Sequence, residues 1–128
     1  MSTASPARPE LFAHRASTIA SFPEIVHELN ETLGKKLTAY IAGAKDTRSV
    51  DRWIAGSEPY NNADARLRQA YIVAMTLRQT NHQRVVQAWF TGLNPELDDR
   101  SLIRLLAEGT EDDTRLVIGA ARAFRAGG

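Results

Sequence analysis

The chain has no cysteine, which excludes disulfides and thiolate metal sites and is compatible with a cytoplasmic setting. It has no long apolar run, and crossing a bilayer as a helix takes about 20 such residues. Met1 to Pro9 is rich in Ser, Ala and Pro without the apolar stretch of a signal peptide, so residues 1–20 read as a flexible tail. A phosphate-cradling glycine loop is also missing: apart from Gly119, the glycines fall where helices are expected to stop. The three histidines, His14, His27 and His82, are far apart and show no ligand spacing, and His27 with Glu31 reads as a surface pair. Asp98-Asp99 and Asp112-Asp113 are adjacent carboxylates, which diverge on a helix and clamp a metal poorly. With no polar groups converging, neither catalysis, nor a metal, nor a cofactor is expected.

What is there is enough for a modest core. The chain is 128 residues long and 43% hydrophobic, sufficient for one small domain or a helical unit with a packed extension. Its net charge of +1 is unevenly spread. From Lys35 to Arg52 five basic residues face two acids, whereas from Glu96 to Gly128 seven acids face five arginines. A basic middle and an acidic end suit different partners, although ordinary surface charge gives the same tally.

The apolar pattern is helical almost throughout. Ser21-Phe22-Pro23-Glu24 has the form of a capping box, and Ile25, Val26, Leu29 and Leu33 then mark one face up to Gly34. Leu37, Tyr40 and Ile41 continue to Gly43, and Thr47 or Asp46 can cap a short helix carrying Val50, Trp53 and Ile54. Tyr60 to Ala63 reads as a loop. From Asp64 to about Gln79, Leu67, Ala70, Tyr71, Ala74 and Leu77 form a stripe that Ile72, Val73 and Met75 broaden, which predicts a central helix. Val85, Val86, Trp89 and Phe90 make another short face before an Asn94-Pro95 turn. Leu102 to Leu106 and, behind a Thr110 cap with three acids, Val117 to Phe124 complete the series. No run alternates apolar and polar residues between turn signals, so an all-α fold is expected.

Within that series, Lys36 to Gly56 fits a helix-turn-helix. Such a unit needs a support helix, a turn with a small residue, and a second helix that buries two residues about three apart. Val50 and Trp53 supply the buried pair and Gly43 the small residue. Lys45, Thr47, Arg48, Ser49, Asp51 and Arg52 would then face DNA. Arginine can bond two acceptors of guanine, and serine a base or phosphate. Lys45 and Thr47 would contact the backbone, and Asp51 would orient Arg48 or Arg52, or accept from cytosine. A helical hairpin packed only for stability has the same pattern, and Trp53 suits the core in either case.

Taken together, LGKKLTAYIAGAKDTRSVDRWIAGSEP and VVQAWFTGLNPELDDRSLIRLLAEG resemble the Xre/MbcA/ParS-type antitoxins. Gly43, Thr47 to Val50, Arg52-Trp53 and Gly56 carry the first likeness; Trp89, Phe90, Asn94, Pro95, Leu97 and Leu105-Leu106 carry the second. The resemblance implies an Xre-like DNA-binding region over 21–79 and a helical toxin-binding domain over 80–128. It implies a non-enzymatic repressor of its own operon that binds operator double-stranded DNA as a homodimer or larger complex and blocks a toxin, often an NAD-consuming RES-type toxin. Trp89, Phe90, Asn94, Pro95, Arg122, Phe124 and Arg125 would form the toxin-binding set. Phenylalanine and arginine are favoured interface anchors, and an arginine entering a nucleotide cleft could replace a phosphate's counter-charge. Trp89, Phe90 and Phe124 equally suit a core, and Asn94-Pro95 a plain turn. A solitary dimeric transcriptional regulator, or an adaptor with a degenerate DNA-binding half, also fits.

Overall fold

In the computed structural model, which describes residues 20–60, 62–94, 100–108 and 111–127, the capping box expected at Ser21 is present. The Ser21 hydroxyl accepts the Glu24 amide at 3.3 Å, and the Glu24 carboxylate accepts the Ser21 amide at 3.0 Å. Two of the amides that a helix start leaves without partners are thereby satisfied. Hydrogen bonding to the Glu24 carboxylate by the Ser21 backbone N–H first, and by the Ser21 hydroxyl second, holds that carboxyl below the ordinary carboxylate range. Helix α1 follows over Phe22–Leu33 and buries Ile25, Val26, Leu29 and Leu33 as the spacing predicts, with Phe22 and Thr32 added.

Gly34 then joins α1 directly to α2, Lys35–Ala42. Its φ of 93° and ψ of 163° lie in a region that only glycine occupies readily. Its N–H donates to Asn30 O at 2.9 Å and its carbonyl accepts the Thr38 hydroxyl at 2.8 Å, so one residue ends a helix and starts the next. Along α2, Ile41 is buried as expected, but Tyr40 is not part of the apolar face; it stands 43% exposed. The Tyr40 hydroxyl donates to Glu108 Oε2 at 2.9 Å, a carboxylate 68 positions away. That acceptor favours the protonated phenol and raises the Tyr40 pKa.

Gly43, at φ 74°, takes the left-handed conformation that closes α2. Helix α3 spans Arg48–Ile54, and α4 spans Ala63–Arg78. The predicted central role of α4 holds: α1, α2, α5, α6 and α7 all pack on it. Helix α5, Gln83–Thr91, starts at His82, whose Nδ1 accepts the Arg84 amide at 3.1 Å. Gln83 and Gln87 donate to the carbonyls of Glu31 and Thr32 at 2.9 and 2.8 Å, fixing α5 across the end of α1.

Among the described residues the regular elements are helices except for one feature the sequence pattern did not predict. Leu93–Asn94 (β1) pairs antiparallel with Arg100–Ser101 (β2), Leu93 opposite Ser101 and Asn94 opposite Arg100. Two residues per strand are too few to show the alternation by which a strand is read. Helix α6, Leu102–Glu108, buries Leu102, Ile103, Leu105, Leu106 and Ala107. Helix α7, Glu111–Gly127, contributes Val117, Ala120 and Ala121. Residues 1–19, Thr110 and Pro95 lie outside the described residues.

One cluster of buried side chains runs through both halves of the chain, from Phe22 and Trp53 to Phe90, Leu102 and Val117. Helix α2 packs on α6 as well as on α1 and α4, so this core is continuous across the position between residues 79 and 80. No described helix is long and apolar enough to cross a membrane.

Gly34 provides a direct check on the helix junction. A Cβ added there meets no atom within 4 Å, so only backbone strain opposes a side chain. Gly34→Ala is expected to lower unfolding stability by about 1–3 kcal/mol, read as a shifted urea midpoint with an unchanged slope.

Candidate functional site

Helix α3 has only seven residues, too few to persist alone in water. Its conformation is therefore imposed from both sides. At its start the Asp46 carboxylate, not Thr47, accepts the Arg48 amide, at 2.8 Å. From behind, Val50 is fully buried and Trp53 is 1% exposed. The Trp53 ring meets Phe22 edge-on, with centroids 5.7 Å apart, and a tilted Tyr60 at 5.2 Å. The expected buried pair is thus present, and Tyr60, in the loop expected from sequence, is the second aromatic wall of Trp53.

The residues expected to face DNA divide into two groups. Lys45 and Arg52 are exposed, and the Arg48 side chain is 75% exposed. Arg48 and Arg52 are four apart and so share one face of α3. Thr47 is half-buried beside them.

Ser49 does not belong to that group: it is 4% exposed, and its hydroxyl lies 2.7 Å from the Tyr60 hydroxyl. The reason is angular. At roughly 100° per residue, Ser49 lies about 40° from Trp53 and on the buried side. Asp51 is exposed, but it does not orient an arginine of its own helix. Lys35 Nζ, at the start of α2, lies 2.9 Å from one Asp51 oxygen and 3.1 Å from the other. That bridge ties α3 to the helix beneath it.

Arg48 is partnered within the turn, its Nη2 lying 3.1 Å from Asp46 Oδ2. The pair is exposed, and an exposed pair in water gives up its partner readily to a competing anion. The Arg48 guanidinium first, and the Arg48 amide second, hold the Asp46 carboxyl below the ordinary aspartate range. One carboxylate therefore caps α3 and aims its first arginine.

In the second predicted set the two aromatics of α5 are buried. Phe90 is fully buried and Trp89 is 9% exposed, so neither stands ready as a docking anchor. The apolar face of α5 that made them conspicuous is turned into the core with Val86, leaving Val85 40% exposed instead. Asn94 lies in β1 and Phe124 and Arg125 in α7, but their side chains, like all of Pro95, lie outside the described residues. Arg122 is exposed on α7.

An open cleft of about 450 Å³ lies beside α1 and α4, lined by Pro23, Glu24, His27, Glu28, Ile54 and Tyr71. Its carboxylates have structural work: Glu24 closes the capping box, and Glu28 lies 4.0 Å from Arg78. Burial first, and Glu28 and Glu24 after it, raise the Tyr71 pKa. Among the described residues no three His, Cys, Asp or Glu side chains are grouped to hold a metal.

The Asp46 cap gives a pH test. Its folded pKa is lowered, so its contribution is complete above the ordinary aspartate value and is lost as pH falls through the lowered native value. The parent is expected to be more stable than Asp46→Ala at neutral pH, with the gap closing as pH falls below the ordinary aspartate range. Urea midpoints of the two proteins across that range check it.

The chain matches no protein-family model, no curated protein and no solved structure.

Proposed function

We propose that the chain is an antitoxin of the Xre/MbcA/ParS type, which binds operator DNA through α2, the turn after Gly43 and α3, and neutralises a toxin through its carboxy-terminal helix. The observation that carries the DNA reading is the division of α3 into two faces. Val50 and Trp53 are buried on one, while Arg48 and Arg52 are exposed on the other. A guanidinium can donate to both acceptors on the major-groove edge of guanine, and two guanidiniums one helical turn apart can read neighbouring positions. Lys45 in the turn would meet a backbone phosphate and set register. Ser49 and Asp51 take a different part in this reading, holding α3 to Tyr60 and Lys35 so that the arginines are presented at a fixed angle.

For the toxin, burial of Trp89 and Phe90 shifts the proposed contact to the end of α7, where Arg122, Phe124 and Arg125 follow one another within a turn. A RES-type, NAD-consuming toxin would present a nucleotide cleft, and an arginine could enter it in place of a counter-charge. A dimer would place two reading helices on two half-sites.

The DNA assignment is tested with a labelled duplex covering the region upstream of the protein's own gene. Arg48→Ala and Arg52→Ala are each expected to raise Kd by roughly five- to 150-fold, the equivalent of about 1–3 kcal/mol, with helical circular dichroism unchanged. Parental affinity in both variants would refute the assignment of the reading helix. The toxin assignment is tested by deleting residues 122–128, which spares the buried Ala121. Rescue of growth on co-expression with the adjacent gene is expected to fall more than duplex binding does. Loss of neither would favour a solitary regulator.

A further inference from the structure

Arg66 lies in the first turn of α4, outside the helix-turn-helix proper, yet its guanidinium reaches that motif's turn. The position of Nη1 is such that a Cβ built on Gly43 would come within 2.8 Å of it. Glycine at 43 therefore has two consequences. It allows the left-handed close of α2, and it leaves room for a cation delivered from another helix.

Among the described residues that cation has no acid of its own. Of the two half-buried arginines among the described residues, Arg68 is paired with Asp64, whereas Arg66 has no carboxylate and no hydrogen-bond acceptor among those residues. The acids nearby in sequence are engaged elsewhere: Asp64 by Arg68, Asp46 by Arg48 and Asp51 by Lys35. A half-buried guanidinium with no carboxylate among the described residues can take an anion supplied from outside. The same turn exposes Lys45 and leads into Arg48. The combination of a fixed fork and neighbouring cations suits a chain of regularly spaced phosphates.

We propose that Arg66 is a phosphate-binding residue for duplex DNA, gripping one backbone phosphate beside the turn while α3 enters the groove. This rests on the DNA-binding reading above and adds to it a contact from α4. Because it touches only the backbone, Arg66 contributes to affinity and register and not to sequence choice.

The test uses the full chain, with the upstream duplex and an unrelated duplex of equal length, titrated between 50 and 200 mM salt. Arg66→Met keeps an apolar stem and removes the charge. It is expected to weaken binding to both duplexes equally, by roughly tenfold, and to make the slope of log K against log salt shallower by about one. Arg66→Lys keeps the charge and loses the fork, so it is expected to retain the parental slope and bind a few-fold more weakly. An Arg66→Met protein with parental slope and affinity, beside a weakened Arg52→Ala, overturns the assignment of Arg66 alone. A parent without salt-sensitive duplex binding overturns the DNA reading itself. If Arg66→Met fails to fold, Arg66→Lys decides: reduced affinity at native helicity supports the contact, and parental affinity overturns it.

Discussion

Everything at the amino end of this fold is organised around the burial of Trp53. A seven-residue helix fixes too few hydrogen bonds to repay its own ordering. The indole provides what the backbone cannot, a large apolar surface enclosed by Phe22 on one side and Tyr60 on the other. Once that ring is seated, the rotation of α3 is fixed and Arg48 and Arg52 can point only outward. The polar contacts around it then refine the seat: Asp46 at the helix start, Tyr60 on Ser49, and Lys35 on Asp51. Removing any one leaves the indole in place, whereas removing the indole leaves those contacts nothing to refine.

Much of the helical framework was legible because its signals are local. A capping box, a glycine stop and a wide apolar stripe each report on a few neighbouring residues, and α1, α2 and α4 formed where those signals stand. The buried Val50 and Trp53 were legible for the same reason, being one turn apart on a single face. Ser49 was misplaced although the information was present: its angle around α3 puts it beside Trp53, and small polar residues are easily credited to a surface. Tyr40 was misplaced the other way, since its phenol ends on Glu108 and nothing local announces a partner so distant in sequence. The β1–β2 pairing, the aromatic role of Tyr60 and the reach of Arg66 to Gly43 depend likewise on contacts between separated segments.

The carboxy-terminal half shows how one pattern can carry two meanings. Trp89 and Phe90 do mark the apolar face of α5, and that face is real. A conspicuous aromatic pair satisfies a core and an interface equally well in sequence, and only packing distinguishes them. Here the glutamines of α5 hold the helix across the end of α1 with that face inward. What remains outward on the described part of α5 is Val85 with polar neighbours, a narrow strip compared with the face beneath.

Helix α2 is shared property. One side supports α1 and α4, and another supports α6, with Tyr40 reaching over to Glu108 at the seam. Neither half consequently owns a complete interior, and a cut between them would strip both of part of their floor. The helix on which α6 packs is also the one to which α3 is bridged through Lys35. In mechanical terms α3 and α6 are mounted on a single beam.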